Sequence, residues 1–213
     1  MEIPLINMDL VYHVGSMDST NKRSGSHEGN GLSISLHPEE WKIIGKGHIG
    51  GDIWTLTKDN TSFLDALSLN RKHQLYLNKV GVDEGYLEPK TCYKLIYKDE
   101  ESNTNNYMVF DSLEEATEEN EEFDSDGIIK KIKSFIPSDK FITRLGWKPE
   151  ILLMKDIFLT FYAEDHLKVD GVWWNENLDI LNYSAPRGVI LNSKLETWDK
   201  KITSSYKLRS DYS

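Results

Sequence analysis

A histidine and two serines lie on short apolar stretches near the start of the chain. His13 belongs to LVYHVG at residues 10–15, and Ser33 and Ser35 belong to GLSISL at residues 31–36. An imidazole and two hydroxyl groups can donate and accept hydrogen bonds, so these side chains are candidates for holding a polar ligand. A strand histidine is also commonly a structural residue that is hydrogen-bonded to its neighbours, and that alternative stays open for His13.

A second group of chemically capable residues lies in VDGVWWNENLDILNYS at residues 169–184. It combines a pair of tryptophans with three acids, namely Trp173, Trp174, Asp170, Glu176 and Asp179. A carboxylate beside an aromatic wall can stabilise a cation or activate a nucleophile. A strand edge with surface acids and core tryptophans has the same composition, so both interpretations remain.

Several familiar chemistries find no support in the sequence. It contains no GxxxxGK[ST], GxGxxG or HExxH motif, and GLSIS lacks the closing glycine of a nucleophile elbow. Cys92 is the single cysteine, so it cannot form an internal disulfide, and no Cys/His cluster has the spacing of a zinc site. We therefore expect a reducing compartment and no metal.

The charge of the chain argues against broad electrostatic binding to nucleic acid. The 213 residues carry a formal net charge of −10, whereas such binding normally relies on a basic face. Much of the negative charge lies at residues 114–126, which we expect to form a solvated helix face. The N-terminus lacks the pattern of a signal peptide, and no apolar run is long enough to span a membrane, so we expect a soluble, cytoplasmic protein.

Short strands must position the candidate residues. In residues 31–36, alternation with period two places the apolar residues on one face and both Ser33 and Ser35 on the other. Further strands are predicted at residues 10–15, 52–59, 92–98, 106–110, 169–174, 179–184 and 188–191.

Fewer helices are predicted than strands. Ser112 and Glu115 form a capping box that should begin a helix over 113–121, and GIIKKIKSFI at 127–136 has apolar residues at helical spacing. One further helix is predicted to begin at Pro38, and another is predicted to cover residues 69–80. The segment at residues 150–162 is compatible with either a helix or a strand. This balance predicts a single α+β domain over residues 1–213, built on mainly antiparallel sheets.

Three segments together resemble the ADP-ribosyltransferase-like superfamily. They are the strand YHVG, the strand-to-helix element GNGLSISLHPEEW and the late segment VDGVWWNENLDILNYSAPRGVI. The resemblance implies two packed, mainly antiparallel sheets with flanking helices, and NAD as the substrate. It places His13 at the NAD ribose, Ser33 or Ser35 on the nicotinamide side, and a late acid, Asp179 or Glu176, at the reacting bond.

The chemistry of NAD cleavage fits these residue types. Breaking the bond between nicotinamide and ribose develops positive charge on the sugar, which a nearby carboxylate stabilises. Tyr12 and Trp173 are the aromatic candidates for the cofactor site, where an aromatic wall can stack on nicotinamide. Asp179 is the favoured acid because it directly precedes the predicted strand ILNYS, and the loop at residues 16–30 would be a lid.

The resemblance implies an enzyme that transfers ADP-ribose to a macromolecular acceptor. A small domain of this kind resembles effectors of the toxin, toxin–antitoxin, phage-defence or anti-defence type, and a cognate antitoxin would be a partner. The acceptor, protein or nucleic acid, stays open. The alternatives are an NAD glycohydrolase, with water as acceptor, and a catalytically inactive relative that acts as a binding or inhibitor protein.

Overall fold

The computed structural model of the chain describes residues 1–17, 31–39, 51–98, 105–122, 127–175 and 188–206. Over these residues the protein is α+β, with several antiparallel sheets and a few helices, as the sequence predicts. The chain divides into two compact units. Residues 1–74 and 159–213 form the first unit, and residues 75–158 form the second.

The first unit contains two sheets. One sheet has five strands in the order β1 (Leu5–Ile6), β5 (Phe63–Asp65), β9 (Gly171–Trp173), β10 (Gly188–Leu191) and β3 (Gly31–Ile34). Its neighbours are antiparallel except for β5 and β9, which are parallel. The other sheet has three antiparallel strands in the order β11 (Asp199–Tyr206), β4 (Gly51–Thr57) and β2 (Leu10–Gly15).

One apolar cluster fills the first unit and takes residues from both of its sheets. Its fully buried members include Val11 on β2, Leu56 on β4 and Phe63 on β5. Trp198 packs edge-on against Phe63, with 6.0 Å between the ring centroids. Because β-branched and aromatic side chains fit a pleated surface, short strands with a few such residues can form this core.

The second unit contains a three-stranded antiparallel sheet and most of the helical residues. The sheet order is β7 (Asn105–Phe110), β6 (Leu87–Lys98) and β8 (Ile128–Pro137). The helices are α1 (Arg71–Asp83), α2 (Leu113–Glu122), α3 (Asp139–Leu145) and α4 (Ile151–Tyr162). Ser112 Oγ accepts a hydrogen bond from the Glu115 N–H at 3.1 Å, so the predicted cap at the start of α2 is confirmed.

Residues 127–136 were predicted to be helical, and this prediction is wrong. The segment forms the strand β8, which pairs with β6 from Leu87–Pro137 to Ile96–Ile128. Its apolar residues satisfy a helical spacing, but isoleucine favours strands, and pairing along ten residues outweighs the weak helical pattern.

The number of sheets differs from the prediction, and one ambiguous segment is resolved. The described residues form three sheets, where the resemblance implies two. The segment at 150–162, predicted as a helix or a strand, is the helix α4. The predicted strand at 179–184 and the predicted lid beyond residue 17 lie outside the described residues. The assignment of residues 1–213 to a single domain stays a prediction. No helix among the described residues is long and apolar enough to cross a membrane.

Gly171 gives a stability prediction, because β9 has no room for a side chain there. A Cβ atom at this position would lie 1.9 Å from the Val189 carbonyl oxygen and 2.4 Å from the Phe63 ring. We expect Gly171→Ala to lower the free energy of unfolding by about 3 kcal/mol or more, as overpacking in a rigid core does. Urea unfolding followed by circular dichroism measures the loss.

The control is Gly85→Ala, where φ is +73° but no atom lies within 4 Å of the added methyl group. Its cost should be confined to the backbone and amount to about 1–2 kcal/mol. Equal losses for the two variants would contradict the packing argument.

Candidate functional site

The two strands that carry the candidate histidine and serines meet at one backbone bridge. The Tyr12 N–H donates to the Ser35 carbonyl at 2.9 Å, and the Ser35 N–H donates to the Tyr12 carbonyl at 2.8 Å. This bridge joins β2 of the three-stranded sheet to the end of β3 in the five-stranded sheet. The strand of His13 and the strand of the two serines are therefore neighbours in the structure.

His13 lies inside this junction. Its side chain is buried, with 7% of its surface exposed. Ring atom Nδ1 lies 2.8 Å from the Ser33 carbonyl oxygen, and Nε2 lies 3.1 Å from the Ser16 carbonyl oxygen. A carbonyl only accepts, so the doubly protonated ring satisfies both contacts and either neutral tautomer satisfies one. These contacts match the structural alternative for His13, and its predicted contact with NAD stays a prediction.

The two serines have different surroundings. Ser35 is 2% exposed, and its Oγ accepts a hydrogen bond from the His37 N–H at 2.8 Å, so it stabilises the turn that follows β3. Ser33 is half-buried and lies opposite Val189 of β10. Of the two hydroxyl groups, that of Ser33 is therefore the more accessible to a ligand.

Trp173 lies at the end of β9 and belongs to the core cluster of the first unit. It is 7% exposed and pairs with Gly188 of β10, which in turn pairs with Ile34 of β3. A Cβ atom at residue 188 would come within 2.4 Å of the Trp173 ring, so the indole packs directly against the β10 backbone. The two candidate acids, Glu176 and Asp179, lie outside the described residues, and their role stays a prediction.

Asp170, the third acid of the late segment, has a structural environment. It is 6% exposed, and its carboxylate forms an ion pair with Lys58 Nζ. The same carboxylate accepts a hydrogen bond from the Ser62 N–H at 3.0 Å, and Lys58 also donates to Thr197 Oγ1 at 3.0 Å. Lys58 could not be predicted from the sequence, because 112 residues separate it from its partner and no local pattern marks it.

A second feature that sequence analysis missed is a cleft of about 300 Å³ in the second unit. Its walls come from β7, α2, the end of β8 and the start of α4, and they include Asp111, Glu115 and Glu119. Asp111 lies 3.6 Å from Lys148 Nζ and 3.5 Å from Lys90 Nζ. Burial raises the pKa of Asp111, but the ammonium groups of Lys148 and Lys90 outweigh burial and hold it below its ordinary value.

Neither region contains a metal site within the described residues. Over the described ranges, no group of three or more His, Cys, Asp or Glu side chains is arranged to hold a metal ion. Comparison of the chain with protein-family models, with curated proteins and with solved structures gave no match.

The ion pair of Asp170 gives a prediction for Lys58→Met. The substitution keeps most of the aliphatic stem but leaves a buried carboxylate without its cation. We expect the free energy of unfolding to fall by about 1–3 kcal/mol, the range for a buried polar group that loses its partner. Urea unfolding measures the change.

Lys200→Met is a matched control, because the side chains of Lys58 and Lys200 are 25% and 24% exposed. The partner of Lys200, Glu196, is 90% exposed, so this pair should contribute only about 0–1 kcal/mol. A loss at Lys58 no larger than the loss at Lys200 would show that Asp170 does not depend on its cation.

Proposed function

We propose that this protein is an NAD-dependent ADP-ribosyltransferase that modifies a macromolecular acceptor. The observation that carries the proposal is the arrangement of the three segments that resemble the ADP-ribosyltransferase-like superfamily. Their strands are β2, β3 and β9, and they come together in the first unit although about 160 residues of sequence separate the first from the last.

The order of the strands supports the proposal. Across the bridge between Tyr12 and Ser35, the order is β9, β10, β3, then β2, β4, β11. Two mainly antiparallel sheets thus meet between the strand that carries His13 and the strand that carries Ser33. This is compatible with the two packed sheets that the resemblance implies, and with a substrate held where they meet.

His13, Ser33 and the late acid have distinct parts in the proposed reaction. His13 stabilises the junction between β2 and β3. It thereby positions the part of the site that binds the NAD ribose. The Ser33 hydroxyl group binds the carboxamide or a ribose hydroxyl of NAD. The bond between nicotinamide and ribose breaks, and nicotinamide leaves with the bonding electrons. The acceptor then attacks the sugar carbon and releases its proton to solvent.

The late acid acts on the charge that develops in this step. Asp179 or Glu176 stabilises the positively charged sugar electrostatically, and Asp179 is the favoured residue. In the cell, such an enzyme would be an effector of the toxin, defence or anti-defence type. With water as the acceptor, the same site would give an NAD glycohydrolase.

A second candidate function is favoured by the hydrogen bonds of His13. Both ring nitrogens already contact backbone carbonyl groups in a buried setting. A histidine used in this way fits a catalytically inactive relative that serves as a binding or inhibitor protein. Measuring NAD binding and NAD consumption separately distinguishes the two functions.

NAD should bind the protein and stabilise it against heat. At about a hundredfold excess over its dissociation constant, a ligand that binds only the native state adds about 2.7 kcal/mol to the free energy of unfolding. A thermal-shift titration with NAD, with ATP in parallel, measures the effect. Ser33→Leu should abolish the shift by filling the site. A shift with ATP and none with NAD would refute the proposal.

Removal of the catalytic acid should lower turnover with little effect on NAD affinity, because a group that acts on developing charge contributes mainly in the transition state. Asp179→Asn and Glu176→Gln are compared in an NAD-consumption assay, and binding is measured by calorimetry. We expect the loss at Asp179. Full activity in both variants would exclude the late-acid mechanism, and tight binding without any consumption by the parent protein would favour the inactive alternative.

A further inference from the structure

The lining of the cleft in the second unit combines apolar side chains, which we call its floor, with acidic side chains, which we call its rim. Its floor includes Met108 and Phe110 from β7 and Ile151 from the start of α4. The floor also includes Leu152, which is 40% exposed although it is a large apolar residue. The volume of about 300 Å³ is at the lower end of the range for ligand-binding pockets, with room for a few side chains.

Negative charge predominates among the residues that line the cleft. The lining contains four carboxylates, from Asp111, Glu115, Glu119 and Glu150, and one cation, Lys148. The Lys148 side chain is 61% exposed and lies 3.6 Å from the Asp111 carboxylate, a loose and largely solvated pair. The lining therefore keeps an excess of negative charge beside an apolar surface.

The acids of the cleft lining affect the helices in different ways. Glu115 in the first turn of α2 and Glu150 just before α4 are favourable near helix N-termini. Glu119 lies one turn after Glu115 on the same face, and like charges at this spacing destabilise a helix. Asp111 already has Lys148 and Lys90 beside it, so a cation bound next to Glu115 and Glu119 would relieve the repulsion between those two.

The geometry narrows the kind of cation. Among the described residues, no three acids or histidines converge closely enough to hold a metal ion. Phosphate groups would be repelled, which excludes nucleic acid. A compact polyamine would leave the apolar floor uncovered. A polypeptide segment with alternating basic and apolar side chains is complementary to both the acidic and the apolar surface. Its ammonium or guanidinium groups reach the rim while its apolar groups cover the floor.

We propose that this cleft is a docking site for a basic, amphipathic segment of a partner protein. One lysine or arginine of the segment lies between Asp111 and the acids of α2, and the adjacent apolar side chain packs against the floor beside Leu152. This inference stands apart from the NAD site, since every residue in it belongs to the second unit.

The test uses a fluorescein-labelled peptide of alternating leucine and lysine, titrated with the full-length protein and followed by anisotropy. A peptide with glutamate in place of lysine is the ligand control. Glu115→Gln combined with Glu119→Gln should weaken binding at least about tenfold. The matched control combines Glu118→Gln with Glu121→Gln, which removes the same charge from α2 outside the cleft lining and should have little effect.

A second variant tests the apolar floor, because charge alone could attract the peptide. Leu152→Ser should also weaken binding without any change in net charge. Circular dichroism of each variant verifies that the helices remain. Equal weakening by the two glutamate pairs would show non-specific attraction and overturn the proposal. So would unchanged binding in Leu152→Ser together with full displacement of the peptide by spermidine, which would assign the cleft to a small polycation.

Discussion

The buried carboxylate of Asp170 joins several segments of the first unit. Its ion pair with Lys58 and its hydrogen bond from Ser62 connect the end of β4, the start of β5 and the start of β9, and Lys58 extends the connection to Thr197. The Asp170 backbone continues this pattern, donating to the Ser62 carbonyl and accepting from the Leu191 N–H. A buried carboxylate is costly unless its partners are all present, so these segments form this part of the structure together.

The junction between the two sheets of the first unit depends on short-range polar contacts rather than on a continuous ladder. Among the described residues, the bridge at Tyr12 and Ser35 joins the sheets, and the buried ring of His13 contacts the backbone on either side. A substrate that binds here would contact both sheets, so its binding energy could also stabilise their junction.

Local patterns explain which elements could be predicted from the sequence. The short apolar runs at 10–15 and 188–191 and the capping box at Ser112 are signals carried by neighbouring residues, and these elements formed as expected. The helix predicted at 127–136 failed because its pairing with β6 is a contact between distant segments. Lys58 and the cleft could not be predicted for the same reason, because they too depend on contacts between distant segments. The predicted residues His13 and Ser33 did come together, but their sequence could not show that the histidine is buried.

The strand β8 also affects whether copies of this protein associate in solution. It is an outer strand of its sheet among the described residues, and it is rich in isoleucine, a combination that favours pairing with the same strand of another copy. Lys130 projects on one side of the sheet, and Lys131 and Lys133 project on the other, and all three are exposed. Two such strands brought edge to edge would place ammonium groups close together on both faces, so these lysines oppose aggregation through this edge.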